Sequence, residues 1–304
     1  MKILVTGSNG LLGQKLVHQL NTDPEVELVA TARGANRLNN QEGYIYHSMD
    51  ISNLKEVLEV FEKEKPEVVI HTAAMTHVDQ CEEDQAACEK LNVEAVQYII
   101  AACSAYKSHL IHLSTDFIFN GEEGPLTEEA DPDPLSYYGE SKLRAEQLIQ
   151  ASTVSAAILR TVLVYGVAEN MSRSNIVLWA KGALEKGEPI KVVDDQFRTP
   201  TLAEDLAQGC ILAAKQKAQG VYNISGSDFF CIIDMVREIA RFWNLDESLI
   251  NPLDSSTLNQ AAKRPPKTGF IIDKAKSELG YKPHSFKEGL ALVHQQIIEA
   301  QSKP

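Results

Sequence analysis

The sequence predicts an α/β protein built on a doubly wound parallel sheet with helices on both faces. Short apolar runs rich in β-branched residues alternate with longer segments of helical period through the first half of the chain. Continuous apolar strands that alternate with helices are typical of parallel sheets buried on both faces. The first strand also ends in three glycines, Gly7, Gly10 and Gly13, immediately before a helical segment. With 304 residues, the chain is long enough to bury a large core.

The strand and helix candidates of the first half follow one another in a regular order. The strand candidates are 2–6, 26–31, 44–49, 67–72, 109–114 and 156–165. The helix candidates are 11–20, 53–64, 85–105 and 138–151. This βα rhythm places the carboxyl ends of the strands at one edge of the sheet, where doubly wound proteins bind their ligands.

The second half has a looser pattern. Its helix candidates are 173–186, 202–216, 229–243 and 286–299, and its short strands are 190–193 and 221–224. A stretch with three prolines, 251–270, is typical of a loop. We expect this half to form a smaller lobe over the carboxyl edge of the sheet, with some segments returning to extend the sheet.

Composition limits the function classes. The formal net charge of −13 argues against nucleic acid or an anionic membrane as the main partner, since both require basic surfaces. No apolar run approaches the ~20 residues that cross a bilayer, and the N-terminal MKILVTG leaves no room for a signal peptide. A cytoplasmic location is therefore expected. Five cysteines without CxxC spacing indicate reduced thiols, and no metal is required.

The glycine-rich turn after the first strand predicts a dinucleotide site. In TGSNGLLGQKL, glycines allow a sharp turn and let a pyrophosphate approach the backbone and the helix N-terminus. The strand–turn–helix context favours this interpretation over a turn without a ligand. The predicted cofactor contacts here are Gly7, Asn9, Gly10, Leu11, Leu12 and Gly13. We therefore assign residues 1–165 to an NAD(P)-binding Rossmann domain and 166–304 mainly to a substrate-binding lobe.

The end of the second strand indicates which dinucleotide is bound. An acidic residue there would bind the adenosine ribose, whereas a basic residue accommodates a 2′-phosphate. The chain has Arg33 and then Arg37 and no carboxylate, so NADP(H) is predicted over NAD(H), which is left open. The alternative is that Arg33 is a solvated loop residue. Further predicted cofactor contacts follow the third and fourth strands, namely Asp50, Ile51, Ala73 and Ala74.

The stretch YYGESK contains the candidate acid. Tyr138 and Lys142 are four residues apart, so a helix places them on one face. Such pairs also occur on ordinary exposed helical turns. Here, however, Thr115 follows the fifth strand and should emerge at the same sheet edge, which brings three polar groups together around one spot.

The sequence resembles the extended short-chain dehydrogenases/reductases, and within them the dTDP-4-dehydrorhamnose reductases. The motifs behind this are TGSNGLLG, AAMTHVDQCE, STDFIFNG, YYGESKLRAE, ILRTVLVYG, DDQFRTPTLAEDLA and RPPKTGFIIDKAKSELGY, spread over nearly the whole chain. The resemblance implies that Thr115, Tyr138 and Lys142 are catalytic, and that Tyr138 and Lys142 also contact the cofactor. Lys142 is expected to lower the pKa of the Tyr138 phenol and to bind the nicotinamide ribose.

Departures from the family pattern lie on the sugar side. The family has a tryptophan where this chain has Leu163, and a tyrosine where it has Phe117. The predicted substrate contacts are Thr115, Asp116, Phe117, Leu163 and Arg198, and Arg198 and Arg264 are candidates for binding substrate phosphates. His109 and His112, three apart in a strand, are interpreted as structural.

The predicted function is NADP(H)-dependent reduction of the 4-keto group of a nucleotide-linked 6-deoxy sugar. Two alternatives stay open: a nucleotide-sugar epimerase, and a cofactor-binding regulatory subunit such as that of methionine adenosyltransferase, which resembles the same reductases. A dehydratase would carry a glutamate after Thr-Asp, where this chain has Phe117. A homodimer is a further open expectation.

Overall fold

The computed structural model describes residues 1–170 and 174–302. Its strands are β1 (Lys2–Thr6), β2 (Glu27–Ala32), β3 (Ile45–Ser48), β4 (Val68–His71), β5 (His109–Thr115), β6 (Ala156–Thr161), β7 (Val164–Tyr165), β8 (Ile190–Val193), β9 (Phe197–Arg198), β10 (Thr201–Leu202), β11 (Gly220–Asn223), β12 (Phe230–Cys231) and β13 (Ile250–Leu253). Its helices are α1 (Leu11–Leu20), α2 (Leu54–Glu64), α3 (Val78–Glu83), α4 (Gln85–Glu89), α5 (Ala95–Tyr106), α6 (Tyr137–Ala151), α7 (Ile176–Glu185), α8 (Ala203–Gln216), α9 (Ile232–Phe242) and α10 (Phe286–Ser302).

The centre of the fold is a seven-stranded parallel sheet with the order β11-β6-β5-β4-β1-β2-β3. From β1 the chain first builds outward through β2 and β3, then returns to the other side of β1 and continues through β4, β5 and β6. Between β1 and β4 the direction of winding reverses, and ligands of such sheets bind at this point, outside the carboxyl ends of the strands. The doubly wound fold predicted from the sequence is confirmed.

The catalytic helix candidate, α6, is held close to the end of β5. The side chain of Ser136 caps its N-terminus by accepting a hydrogen bond from the backbone N–H of Gly139, at 3.3 Å. A Cβ added at Gly139 would lie 2.1 Å from the carbonyl oxygen of Phe117. A side chain at this position would push the helix away, so the glycine permits Tyr138 to approach the turn that follows β5.

Two elements differ from the predictions for a physical reason. The predicted strand 156–165 is broken into β6 and β7, because Leu163 adopts φ +40°, a left-handed backbone conformation that ends the pleat. The predicted helix 85–105 is α4 and α5 joined by a π-helical turn, Lys90–Glu94. Asn92 in that turn accepts a hydrogen bond from Met75 N (2.8 Å) and donates to Ser141 Oγ (3.0 Å), linking the loop after β4 to α6.

The second half both extends the sheet and builds its own core. β11 adds to the sheet beside β6, and α8 packs against α1. A separate apolar cluster, which includes Val177, Leu184, Val236 and Leu290, lies among α7, α9, α10 and β8. The predicted helix 173–186 is seen as α7, and its first residue, Arg173, lies outside the described residues. In the described ranges, no helix is both long enough and apolar enough to span a bilayer.

Candidate active site

A cleft of about 730 Å³ opens at the carboxyl ends of the central strands. Its walls come from the glycine-rich turn, the ends of β2, β4 and β5, the amino-terminal half of α6 and the segment that follows β6. The predicted site residues that line it are Gly7, Asn9, Gly10, Leu11, Leu12, Gly13, Arg33, Asp50, Ile51, Ala73, Ala74, Thr115, Asp116, Phe117, Tyr138, Lys142 and Leu163. Arg198 and Arg264, the two candidates for phosphate binding, do not line it.

The glycine-rich turn is packed too tightly to accept a side chain at Gly7 or Gly13. Gly7 has φ +71°, and a Cβ added to it would lie 2.8 Å from the backbone nitrogen of Ala73. A Cβ on Gly13 would lie 2.2 Å from the carbonyl oxygen of Gly7. The turn therefore needs glycine to close, and it brings the N-terminus of α1 to the cleft, an arrangement that fits a pyrophosphate.

The far end of the cleft carries the predicted adenosine contacts. Asn9 organises this end, because its side chain donates to Ala35 O and accepts from Arg37 N, both at 2.9 Å. Arg33 is exposed at the end of β2. Burial raises the pKa of Asp50, but hydrogen bonds from Ser52 and the charge of Arg33 outweigh it and hold that pKa below its usual value.

Tyr138 and Thr115 lie at the other end. Thr115 Oγ1 donates to Asp116 Oδ1 at 3.1 Å and accepts from Phe117 N at 3.2 Å. The Tyr138 side chain is only 8% exposed. Burial raises the pKa of its phenol above the ordinary value, and a hydrogen-bonding contact with Thr115 offsets this only in part. The phenol is therefore protonated at neutral pH and can act as a proton donor.

Lys142 faces the end of β5 from α6. Its ammonium donates to Leu113 O at 2.6 Å and lies 3.3 Å from His112 Nε2. Burial lowers the pKa of Lys142 to about 8. Burial of the phenol dominates, so the pKa of Tyr138 is raised overall, and two N–H groups of the ammonium point to β5. That Lys142 lowers this pKa from what burial alone would give stays a prediction.

Arg198 is part of the interior and not of the cleft wall. Its Nε lies 3.5 Å from Asp116 Oδ2, and its Nη2 donates to Pro265 O at 2.7 Å. Its guanidinium also lies over the Phe117 ring, 5.9 Å from the centroid. The expectation that Arg198 binds substrate phosphates is therefore corrected. Its N–H groups instead contact the carboxylate of Asp116 and the carbonyl oxygen of Pro265.

Arg264 is also engaged within the protein. Its guanidinium binds both carboxylate oxygens of Asp79 on α3, at 2.6 and 3.1 Å. This bidentate pair ties the loop at 251–270 to the segment that follows β4. Arg264, which the sequence analysis considered for phosphate binding, thus links the second half of the chain to the first.

The cleft has an apolar wall near Tyr138. Leu163 and Phe117 both line the cleft, where the family pattern has tryptophan and tyrosine. Phe117 packs edge-on against Tyr138, with ring centroids 5.8 Å apart. Leu163 is held at φ +40° while its carbonyl oxygen accepts a hydrogen bond from Thr201 N at 3.2 Å. Residues without glycine's freedom rarely adopt this conformation, so the surrounding structure imposes it.

Sequence reasoning missed His112, which it interpreted as merely structural. The signal was available in the two-residue period of β5, which puts His112 on the same face as Ser114, beside α6. His109, by contrast, bonds Ser155 Oγ at 2.8 Å near the start of the strand. Among the described residues, no group of three or more His, Cys, Asp or Glu side chains is arranged to hold a metal ion.

Two known proteins similar over most of the chain differ in role. The spore coat polysaccharide biosynthesis protein SpsK of Bacillus subtilis is 28% identical over 292 residues, covering 95% of each chain. The methionine adenosyltransferase 2 subunit beta of Danio rerio is 29% identical over 269 residues, covering 87% of this chain and 80% of the relative. Relatives at this distance include both a polysaccharide biosynthesis protein and a subunit of another enzyme.

Similar solved structures share the fold over nearly the whole chain. A dTDP-4-dehydrorhamnose reductase from Clostridium acetobutylicum superposes with a TM-score of 0.86 at 30% identity, covering 98% of this chain and all of that one. The enzyme of the same name from Bacillus anthracis, in complex with NADP, gives 0.83 at 25% identity, covering 97% and 99%. The family described as RmlD substrate binding domain matches residues 1–298. The resemblance inferred from the motifs is thereby confirmed, and the chain belongs to this family.

Proposed function

We propose that the protein catalyses NADP(H)-dependent reduction of the 4-keto group of a nucleotide-linked 6-deoxy sugar, as a reductase of the dTDP-4-dehydrorhamnose type. One observation carries the proposal: Thr115, Tyr138 and Lys142 line the same cleft as the glycine-rich turn. A proton donor and a dinucleotide cradle in one cleft are the two parts that carbonyl reduction requires. Family membership and the reductases among the similar structures support it.

The cofactor side of the proposal rests on the residues of the cradle. Gly7, Gly13 and the N-terminus of α1 suit the pyrophosphate, and exposed Arg33 suits a 2′-phosphate. The NADP complex of the Bacillus anthracis relative supports NADP(H) as the preferred cofactor, with NAD(H) as the weaker one. When bound, the nicotinamide supplies the hydride.

The protein's own side chains manage the proton. The protonated Tyr138 phenol would donate its proton to the carbonyl oxygen. The Thr115 hydroxyl, which donates to Asp116 Oδ1 in the structure, would have to turn its hydrogen to that oxygen to hold it. Lys142 lines the same cleft, and its positive charge would favour the phenolate that remains after transfer. The low exposure of Tyr138 limits the access of water to the phenol.

We assign the sugar to the lobe formed mainly by residues 166–304, placed over a Rossmann domain of residues 1–165. The separate apolar core of the second half supports this division. Leu163 and Phe117 would face the sugar, and neither offers the hydrogen-bonding group that the family pattern has at its position. The preferred sugar should therefore present a less polar face than the rhamnose precursor, which should be turned over poorly compared with a related keto-sugar.

A cofactor-binding regulatory subunit is the second candidate function. The observation that favours it is the similarity to methionine adenosyltransferase 2 subunit beta. Against it stand the retained Thr115, Tyr138 and Lys142, because a protein that only binds has no need of a proton donor in the cleft. A reductase would oxidise NADPH in the presence of its sugar, whereas a regulatory subunit would bind NADPH without oxidising it.

The deciding experiment is a turnover screen. The purified protein is incubated with NADPH and a panel of nucleotide-linked 4-keto-6-deoxy sugars that includes dTDP-4-dehydrorhamnose, and NADPH oxidation is followed by absorbance. The proposal expects steady oxidation with at least one sugar, and the Tyr138→Phe variant serves as the matched blank. NADPH binding without oxidation by any sugar of the panel would favour the regulatory subunit.

A further inference from the structure

The surroundings of Lys142 contain a histidine to which the proposed reaction has so far given no role. The ammonium has three N–H bonds, and β5 receives two of them, at Leu113 O (2.6 Å) and His112 Nε2 (3.3 Å). Both acceptors lie just before Thr115 on the same strand. The third N–H is left for the cleft, which Lys142 lines. The direction of the catalytic cation is thus set by β5.

His112 is suited to accept this hydrogen bond because it is uncharged. The residue is 1% exposed, and burial, the Lys142 charge and the neighbouring His71 hold its pKa well below the usual value. An imidazole that accepts at Nε2 must carry its proton on Nδ1. In the described part of the chain, His112 Nδ1 has no hydrogen-bond partner, so the lysine contact is the polar contact that this buried ring makes.

The ring is also fixed in place. His71 on β4 stacks on it, with centroids 5.5 Å apart and planes inclined by 24°, and His71 Nδ1 is hydrogen-bonded to Thr6 Oγ1 at 2.8 Å. Burial and the charge of Lys142 lower the pKa of His71 to about 3, so neither ring adds a positive charge beside the ammonium. A neutral hydrogen-bond acceptor that is fixed in position can hold the ammonium of a buried lysine in one orientation.

Other titratable groups also surround the ammonium. They are Glu146 on α6, Cys81 on α3, Cys88 on α4 and His71 on β4. Glu146 and the two thiols raise the pKa of Lys142 through their charge, against the larger effect of burial. Within the described residues, His112 is the titratable group at hydrogen-bonding distance from the ammonium.

We propose that His112 is a positioning residue, whose neutral imidazole accepts a hydrogen bond from Lys142 and directs the ammonium to the cleft. Its catalytic meaning rests on the proposed function, but the contact can be measured without turnover. His112 acts through Lys142 and touches neither cofactor nor sugar. Removal of the acceptor would leave the buried ammonium with one fewer partner and so disfavour its charged form.

The experiment measures the lysine directly by NMR of the full chain. Lysine is labelled with ¹³C, the Lys142 signal is assigned by its loss in Lys142→Met, and its pKa is read from a pH titration. His112→Leu removes the acceptor at similar volume, and His112→Gln keeps an acceptor near the Nε2 position. His109→Leu, a buried histidine on the same strand that bonds Ser155, is the matched control.

We expect the pKa of Lys142 to fall by about one to two pH units in His112→Leu, the size of one hydrogen bond to a charged group. It should stay close to wild type in His112→Gln and His109→Leu. An unchanged pKa in His112→Leu, or equal shifts in the leucine and glutamine variants, would overturn the proposal.

Two further readouts complete the test. In the wild type, ¹⁵N spectra of the histidine rings should show His112 with its proton on Nδ1, and a proton on Nε2 would contradict the contact even if no variant folds. If a substrate is turned over, kcat should begin to decline with rising pH at a lower pH in His112→Leu than in the wild type. The KM for the sugar should stay nearly constant. If no sugar is reduced, the proposed function fails while the NMR result still decides the role of His112.

Discussion

Replacement of Tyr138 by phenylalanine removes one oxygen atom from the proposed centre. The ring should keep its edge-on contact with Phe117, because only the hydroxyl is lost from a side chain that is 8% exposed. Loss of the proton donor should slow turnover by about 10²–10⁴-fold, or about 2.7–5.4 kcal/mol in the barrier.

The assay is NADPH oxidation with a keto-sugar that the wild type reduces, together with fluorescence titration of NADPH. The variant should bind NADPH nearly as tightly as wild type, since the phenol acts at the sugar carbonyl. Tyr137→Phe is the matched control: the neighbouring phenol donates to Glu89 Oε2 at 3.0 Å, away from the cleft. Full turnover by Tyr138→Phe, or an equal loss in both variants, would refute the assigned role.

Three other predictions follow from the same structure. Arg33→Ala should weaken NADPH by about 10–100-fold and leave NADH unchanged, because one charge-assisted contact to the 2′-phosphate is lost; parallel fluorescence titrations check this, and equal losses for both cofactors would contradict it. Glu146→Gln should lower the free energy of unfolding by about 3–5 kcal/mol in urea denaturation, because the buried Arg160 loses its anionic partner at 2.7 Å. The surface variant Glu238→Gln should be nearly neutral, and a neutral Glu146→Gln would show that Arg160 does not need the negative charge. Turnover should decline as pH rises through about 8, where Lys142 loses its proton, and a rate that holds to pH 10 would show that the ammonium is not required.

The fold and most of the cleft could be predicted from sequence because their signals are local. Gly7 and Gly13 stand between a strand and a helix, and the rule that ligands bind at strand carboxyl ends then brings Thr115 and the YYGESK helix to the same place. The structure gathers these residues as the pattern indicated. Such inferences need only the order of strands and the direction of the chain.

The remaining features depend on contacts between distant parts of the chain. Arg198 and Arg264 looked free for phosphates, but Asp116 and Asp79, far away in sequence, hold them. The raised pKa of Tyr138 has the same origin, because the burial that raises it is created by tertiary packing.

The strand break at Leu163 was also beyond local reasoning. A run of apolar and β-branched residues favours a continuous strand, and nothing in it marks a left-handed residue. The break turns the chain from the central sheet to β7 and puts Leu163 at the cleft. The position of Leu163 beside the proposed sugar therefore depends on a strand break that the sequence pattern does not predict.

The most direct test of the central claim is transfer of hydrogen from the cofactor to the sugar. NADPH deuterated at the transferable position is incubated with the protein and with the keto-sugar nucleotides of the panel, and the products are analysed by mass spectrometry and NMR. The account predicts one deuterium on C4 of the product sugar for each NADPH oxidised, and in Tyr138→Phe the label should appear about 10²–10⁴-fold more slowly. Tight NADPH binding with no deuterium in any sugar would contradict it.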